Sequence, residues 1–199
     1  MNVLVACEYS GVVRSAFEKR GHFAVSVDLL KSEDNGFHYQ GDIMRFLSVH
    51  DKWGLIIAHP PCTALCVSGN RWYGSTAPKH QERIDAKAWT LALWERCLEV
   101  SPRVCFENPV GVLGNVIGKP AQYIQPYGFG HPETKRTGLW LHNLPKLMET
   151  NNVKAQMDQL PEKEKHRIHH MSPGPDRGKE RARFFQGWAE AMADQWGSL

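Results

Sequence analysis

Leu55-Ile56-Ile57-Ala58-His59-Pro60-Pro61-Cys62 decides the fold. A short apolar run ends against two successive prolines, which stop a strand and stiffen the backbone in front of a cysteine. A second run, Arg103-Val104-Cys105-Phe106, leads in the same way into Glu107-Asn108-Pro109. Each predicts a buried strand that delivers a reactive side chain just past its end. In an open α/β sheet, ligands bind outside the carboxyl ends of the strands. A thiol and a carboxylate brought there by neighbouring strands point to one site holding a nucleophile and an acid.

Working outward, residues 2–7 (NVLVAC) and 23–28 (FAVSVD) predict two further buried strands, the second ending in an acid. Between them, a turn at Ser10-Gly11 precedes a helix over residues 12–20 that Gly21 ends. A polar stretch, 31–40, leads to Gly41-Asp42-Ile43. Residues 68–78 are rich in Gly, Ser and Asn and predict a loop. Over 80–100, Ile84, Ala88, Leu91, Trp94 and Leu98 recur at helical spacing, with Cys97 near that face as a core thiol. Residues 123–127 and 138–141 predict two closing strands. Residues 143–178 are polar and loop-rich, and 179–196 return to helical spacing with Phe185, Trp188, Met192 and Trp196 on one side. This alternation with a late hairpin predicts an α/β fold, a doubly wound, mostly parallel sheet with an antiparallel edge.

A chain of 199 residues that is 42% hydrophobic suits a single domain, 1–199. Its formal net charge of +3 permits a polyanionic partner without demanding one. No long uncharged apolar run provides a membrane span, and Glu8 interrupts the apolar start that a secretory leader would need. Five cysteines, an odd count without repeated close spacing, fit reduced thiols in a cytoplasm.

Taken alone, Cys62 reads either as a buried small hydrophobe or as a nucleophile on a fixed, open turn. Glu107 reads either as a structural carboxylate or as an acid facing a cleft, where partial burial raises its pKa toward that of a general acid. Glu8-Tyr9-Ser10-Gly11, a turn between strand and helix, suits backbone contacts to a nucleoside cofactor. Asp28 is placed to accept from ribose hydroxyls and Asp42 from an adenine amino group. In Ser68-Gly69-Asn70-Arg71-Trp72-Tyr73-Gly74-Ser75, the glycines suit a mobile loop in which Arg71 contacts phosphate or an orphaned base and Trp72 fills a vacated stack. The bland reading is a surface loop with its aromatic packed back on the domain. Residues 163–183 carry seven Lys or Arg, partly offset by Glu162, Glu164, Asp176 and Glu180 and broken by Pro173-Gly174-Pro175. That run reads as a solvated face or as a phosphate-binding surface. Phe184, Phe185 and Trp188 read as core.

These motifs resemble the DNA (cytosine-5) methyltransferase family, in the form of a short phage or prophage member without an ordinary target recognition domain. Cys7 to Gly11 occupy the cofactor-turn position, with Gly11 retained from the family's Phe-x-Gly-x-Gly. Asp28 stands at the ribose-binding acid and Gly41-Asp42-Ile43 at the adenine-contacting Asp. Pro60-Pro61-Cys62 matches the Pro-Cys nucleophile motif, with Thr63 in place of Gln, and Glu107-Asn108-Pro109 matches Glu-Asn-Val. Glu133-Thr134-Lys135-Arg136-Thr137 approximates Gln-x-Arg-x-Arg. The resemblance implies a Rossmann-like fold, S-adenosylmethionine as cofactor and DNA as partner. It implies catalytic roles for Cys62, Glu107, Lys135 and Arg136, a cofactor contact at Pro60, and base contacts from Pro61 and Asn108. Residues 143–178 stand where longer relatives carry a recognition domain, so a protein partner or homodimer is left to supply recognition.

Other readings stay open. The chain could act on a nucleotide, transfer another group, or bind nucleic acid without catalysis. Cys62, Cys66 and His59 lack the second close pair that a structural zinc site needs.

Overall fold

The computed structural model describes residues 1–174 and 177–199. Pro175 and Asp176, read above as part of the break and of the acidic offset, lie outside the described residues. The chain alternates through β1 (Asn2–Ala6), α1 (Val12–Glu18), β2 (Phe23–Asp28), β3 (His38–Gln40), α2 (Ile43–Val49) and β4 (Leu55–Ala58). After a 3-10 turn, Val67–Gly69, come α3 (Asn70–Tyr73), α4 (His80–Val100), β5 (Val104–Pro109), β6 (Gln122–Ile124) and β7 (Thr137–His142). Five helices follow: α5 (Lys154–Asp158), α6 (Glu162–Lys165), α7 (Arg167–His170), α8 (Arg177–Ala182) and α9 (Gln186–Trp196).

The sheet runs β3-β2-β1-β4-β5-β7-β6. Its first five strands are parallel, and β7 enters antiparallel between β5 and β6. This is the doubly wound sheet with an antiparallel edge that the alternation predicts. Strand periodicity sorts the core into two layers. Val3 and Val5 of β1, with Leu55 and Ile57 of β4, pack beneath α1 and α9. Leu4, Ala6, Ile56 and Ala58, one residue out of phase, pack beneath α2 and α4. Strands covered on both faces must be apolar throughout, which is why their sequences carry no alternation.

Several expectations are corrected. Glu107 and Asn108 do not lie past the end of β5. Parallel pairing with β4 stops at Phe106, but the strand continues to Pro109 against β7, with Glu107 opposite Leu139. Helix α1 stops at Glu18, two residues early, and Gly21 takes the left-handed φ of +80° that closes the turn. Helix α4 has the expected bounds but turns a different face inward. Arg83, Thr90, Leu93, Cys97 and Val100 are buried, while Ile84 is exposed. Apolar residues are spread around α4, so spacing alone does not fix its phase. The expected strand over 123–127 is shorter, because a 3-10 turn at Pro126–Gly128 takes its second half. Residues 68–78 hold α3 as well as loop, and 143–178 hold α5 to α7.

The expected helix over 179–196 is two helices. The chain leaves the helix at Arg183 and resumes at Gln186, with Phe185 extended. The break turns both Phe184 and Phe185 inward, into the cluster that contains Trp188, Met192 and Trp196. Both phenylalanines are therefore core, as is Cys97.

Candidate functional site

The site lies where β1, β4 and β5 end. Asn108, buried on β5, donates from Nδ2 to the Pro60 carbonyl at 2.8 Å and ties the Glu-Asn strand to the Pro-Cys turn. Beyond Cys62 the chain makes one helix-like turn, with Leu65 and Cys66 N–H groups donating to the Cys62 carbonyl at 3.0 and 2.9 Å. Arg83, on the first turns of α4, is buried and donates to the carbonyls of Ala64 (2.6 Å) and Cys66 (3.3 Å) and to Asn70 Oδ1 (2.9 Å). Gly111 closes the other side. A Cβ there would stand 2.0 Å from the Leu65 carbonyl oxygen, so this backbone approach requires glycine.

Glu107 is buried and hydrogen-bonded to His59, Nδ1 to Oε2 at 3.2 Å. Burial pushes the Glu107 carboxyl up. The His59 hydrogen bond, the Lys135 charge and the Thr137 hydroxyl outweigh it and hold the pKa below the ordinary value. This corrects the expectation of a raised value: the carboxylate rests ionised, and its proton partner is an imidazole. Glu107 Oε1, His59 Nε2 and Asn108 Oδ1 are buried with no partner among the described residues. Buried polar atoms of this kind call for an explanation, and three in one place mark a site that takes polar groups. The ring of Phe184 packs against His59 at 4.7 Å.

Cys62 and Cys66 line one cavity of about 660 Å3. The neighbouring Cys66, together with burial and the nearby Glu107 charge, pushes the Cys62 thiol up. Cys66 is held down by Cys62, by the Ser68 hydroxyl at 3.0 Å and by the Arg181 charge. Lys135 lies where its charge reaches both Cys62 and Glu107, and with Arg136 it lines the same cavity. Arg136 also stacks on Tyr123, 4.2 Å from the ring centroid. Trp72 is 51% exposed and faces the cavity, with Arg71 over its ring at 5.3 Å, so it is not packed back on the domain. Pro61 is exposed beside Cys62.

The β1–α1 turn is strained at a non-glycine residue. Cys7 takes φ +60°, which brings the Cys7 and Glu8 N–H groups onto the Val27 carbonyl at 2.7 and 3.2 Å. Gly11 takes φ +70° and opens α1. The Glu8 carboxylate caps that helix, accepting from Val13 N (2.6 Å) and Arg14 N (3.2 Å), with Ser10 Oγ on it at 3.4 Å. Burial raises the Glu8 pKa against these donors. The Tyr9 hydroxyl donates to the Lys179 carbonyl at 2.9 Å. Asp28 accepts from Leu30 N, and Asp42 is the N-cap of α2, accepting from Arg45 N at 2.8 Å. Each acid uses Oδ1 for this, and Oδ2 has no donor among the described residues. Both carboxylates lie near enough to Cys7 that, with burial foremost, they push its thiol up to about 12. Both acids thus lie near the turn.

Sequence reasoning missed His59 as the partner of Glu107, Cys66 as the partner of Cys62, and Arg83. A histidine directly before Pro-Pro was the available signal for the first. Nothing in the sequence distinguishes Arg83 from a solvated helix residue.

No family model matches the chain, and no curated protein does. Among solved structures it is similar to the Entamoeba histolytica methyltransferase EhMeth, with a TM-score of 0.50 and 14% identity over 76% of this chain and 57% of that one. The chain has the Rossmann-like methyltransferase fold. Similarity extends to an E. coli prophage protein described as a DNA modification methyltransferase (TM-score 0.48, 14% identity, 81% of this chain and 56% of that one). It extends also to the S. pombe Dnmt2 methyltransferase (TM-score 0.48, 13% identity, 82% and 56%). This chain spans just over half the length of each of these structures. Among the described residues, no helix is long and apolar enough to cross a membrane.

Proposed function

We propose that the chain is an S-adenosylmethionine-dependent methyltransferase acting on carbon 5 of cytosine in DNA through a covalent adduct with Cys62. One observation carries this reading. A cysteine after β4 and a buried glutamate on β5 are tied together through Asn108 and Pro60 at 2.8 Å, beside an open cavity at the strand ends. Asp28, Asp42 and the backbone of the Cys7 to Gly11 turn would hold the cofactor, with Glu8 keeping that turn on the N-terminus of α1. When bound, S-adenosylmethionine supplies the methyl electrophile.

The rest of the chemistry belongs to the chain. Cys62 releases its proton to solvent through the open cavity, and its thiolate adds to carbon 6 of the ring. That addition makes carbon 5 electron-rich, which an unassisted cytosine is not. Glu107, held in place by its hydrogen bond to His59, takes up a proton and donates it to the ring nitrogen, where charge develops during addition. Lys135 steadies the ionised Glu107 and lowers the cost of the thiolate. Loss of the carbon 5 proton then expels the cysteine. The 143–178 segment stands in place of a recognition domain in the single domain that we propose.

Incubation with tritiated S-adenosylmethionine and separate DNA, RNA and deoxycytidine monophosphate tests the reading. Label should appear at carbon 5 of cytosine in DNA with wild type and be absent with Cys62→Ser. Absence of label in every substrate would overturn it.

A further inference from the structure

On its outer side the cavity beside Cys62 is lined by Ile168, His169, Pro173 and Gly174 and by α8. Lys135, Arg136, Arg177 and Arg181 line it, and among the described residues no aspartate or glutamate does. None of these four has an acidic partner within ion-pair distance among the described residues. The neighbouring cations behave differently. Lys165 pairs with Glu162, Arg167 with Glu133, and Lys179 and Arg183 with Glu33. Among the described residues, the cations that face Cys62 therefore stand apart from these paired neighbours.

Helix α8 separates its own cations by its period. Arg177 and Arg181, four residues apart, fall on the face that lines the cavity. Lys179 falls on another face and rests on the cofactor turn, while Arg183, just past the helix, pairs with Glu33. Lys179 Nζ lies 5.1 Å from the Tyr9 ring centroid and its carbonyl takes the Tyr9 hydroxyl at 2.9 Å. One short helix thus touches both halves of the site. The volume, about 660 Å3, falls in the range of roughly 300–1,000 Å3 usual for small ligands. Trp72, exposed and aromatic, stands on the same wall as Cys62 and offers a face for a base.

We propose that α8 is a two-faced clamp: Arg177 and Arg181 grip the phosphate of a single unstacked cytidine nucleotide while the other face rests on the cofactor turn. The phosphate is either the monoester of a free nucleotide or a diester of a strand. Identifying the base as cytosine rests on the methyltransferase reading above; the phosphate grip does not. Guanidinium groups recognise phosphate oxygens in pairs, and two on one helical face form such a pair of donors. The clamp gives the chain a substrate contact without a separate recognition domain.

Binding of deoxycytidine, deoxycytidine 5′-monophosphate, inorganic phosphate and a single-stranded oligodeoxycytidine is measured by calorimetry in the presence of S-adenosylhomocysteine. At least one phosphate-bearing nucleotide should bind about tenfold or more tighter than deoxycytidine, as expected for charge-assisted hydrogen bonds. A gain with the monophosphate identifies a free nucleotide, and a gain with the oligonucleotide alone identifies a strand. Arg177→Gln with Arg181→Gln should abolish the gain. Lys154→Gln with Lys163→Gln, an equal change of charge at exposed positions, should keep it. Circular dichroism melts establish that both double variants fold, and Arg181→Gln alone serves if the first does not. Deoxycytidine binding as tightly as its phosphorylated forms, or equal loss in both double variants, would overturn the clamp. Methylation of DNA that is indifferent to Arg177 and Arg181 would overturn the clamp and leave the methyltransferase reading standing. A phosphate-dependent gain without label transfer would do the reverse.

Discussion

The pairing of Glu107 with His59 has a measurable consequence at the scale of single residues. Folding lowers the Glu107 pKa, so this carboxylate contributes stability above the ordinary glutamate value, about 4.3, and that contribution is lost as the pH falls through the folded value. Glu107→Gln should remove this part of the slope of unfolding free energy, measured by urea denaturation between about pH 5 and 3. An unchanged slope would mean that His59 and Lys135 do not hold the carboxylate ionised. The thiols make a second case. Thiolates react and thiols do not, so near neutral pH iodoacetamide should modify Cys66 before Cys62, read by peptide mass spectrometry. Modification of Cys62 first would contradict that order. The sequence showed both reactive residues but neither partner. A histidine before a Pro-Pro pair and a cysteine one turn after another carry no separate signal until the fold brings β4 against β5.

The elements around the nucleophile divide into those that fix it and those that meet the substrate. Arg83 fixes it, replacing solvent for two backbone carbonyls and Asn70 in a buried setting. Arg83→Met should cost about 2–4 kcal/mol in urea unfolding, because it strands buried acceptors. It should also slow methyl transfer while leaving S-adenosylhomocysteine affinity unchanged by calorimetry. A stable variant with normal turnover would show that the turn holds without it. Trp72 is the opposite case. Being half exposed, it should be removable in Trp72→Ala with almost no change in melting temperature. Methylation of duplex DNA should fall more than that of single strands, since an unstacked base needs no wedge. Equal loss on both would remove Trp72 from that role. The bounds of β2, β4 and α4 were legible because apolar runs and their punctuation set them locally. β3 was not, since His38-Tyr39-Gln40 is a three-residue polar edge strand whose signal is its neighbour. The break between α8 and α9 was hidden because Phe184 and Phe185 continue an apolar pattern that a helix could also have used.

Across the whole molecule, the mostly parallel sheet with its antiparallel edge was legible in the sequence, while the seating of α8 depends on contacts more than a hundred residues apart, such as Tyr9 with Lys179. The cofactor half and the nucleophile half can be separated by experiment. Asp28→Ala and Asp42→Ala should each weaken S-adenosylhomocysteine binding by about 1–3 kcal/mol. Asp42→Ala should lose about 1 kcal/mol of stability as well, because it removes the N-cap of α2. Unchanged affinity in both would place the cofactor elsewhere. Neither variant should prevent Cys62 from adding to a base. The central claim is that addition, and the most direct measurement of it is covalent trapping. Wild type, S-adenosylmethionine and DNA containing 5-fluorocytosine should give a complex that survives denaturing electrophoresis, with mass spectrometry placing the nucleotide on Cys62. Cys62→Ser should give none. A wild-type reaction that methylates ordinary DNA yet traps nothing, or an adduct on another cysteine, would contradict the account.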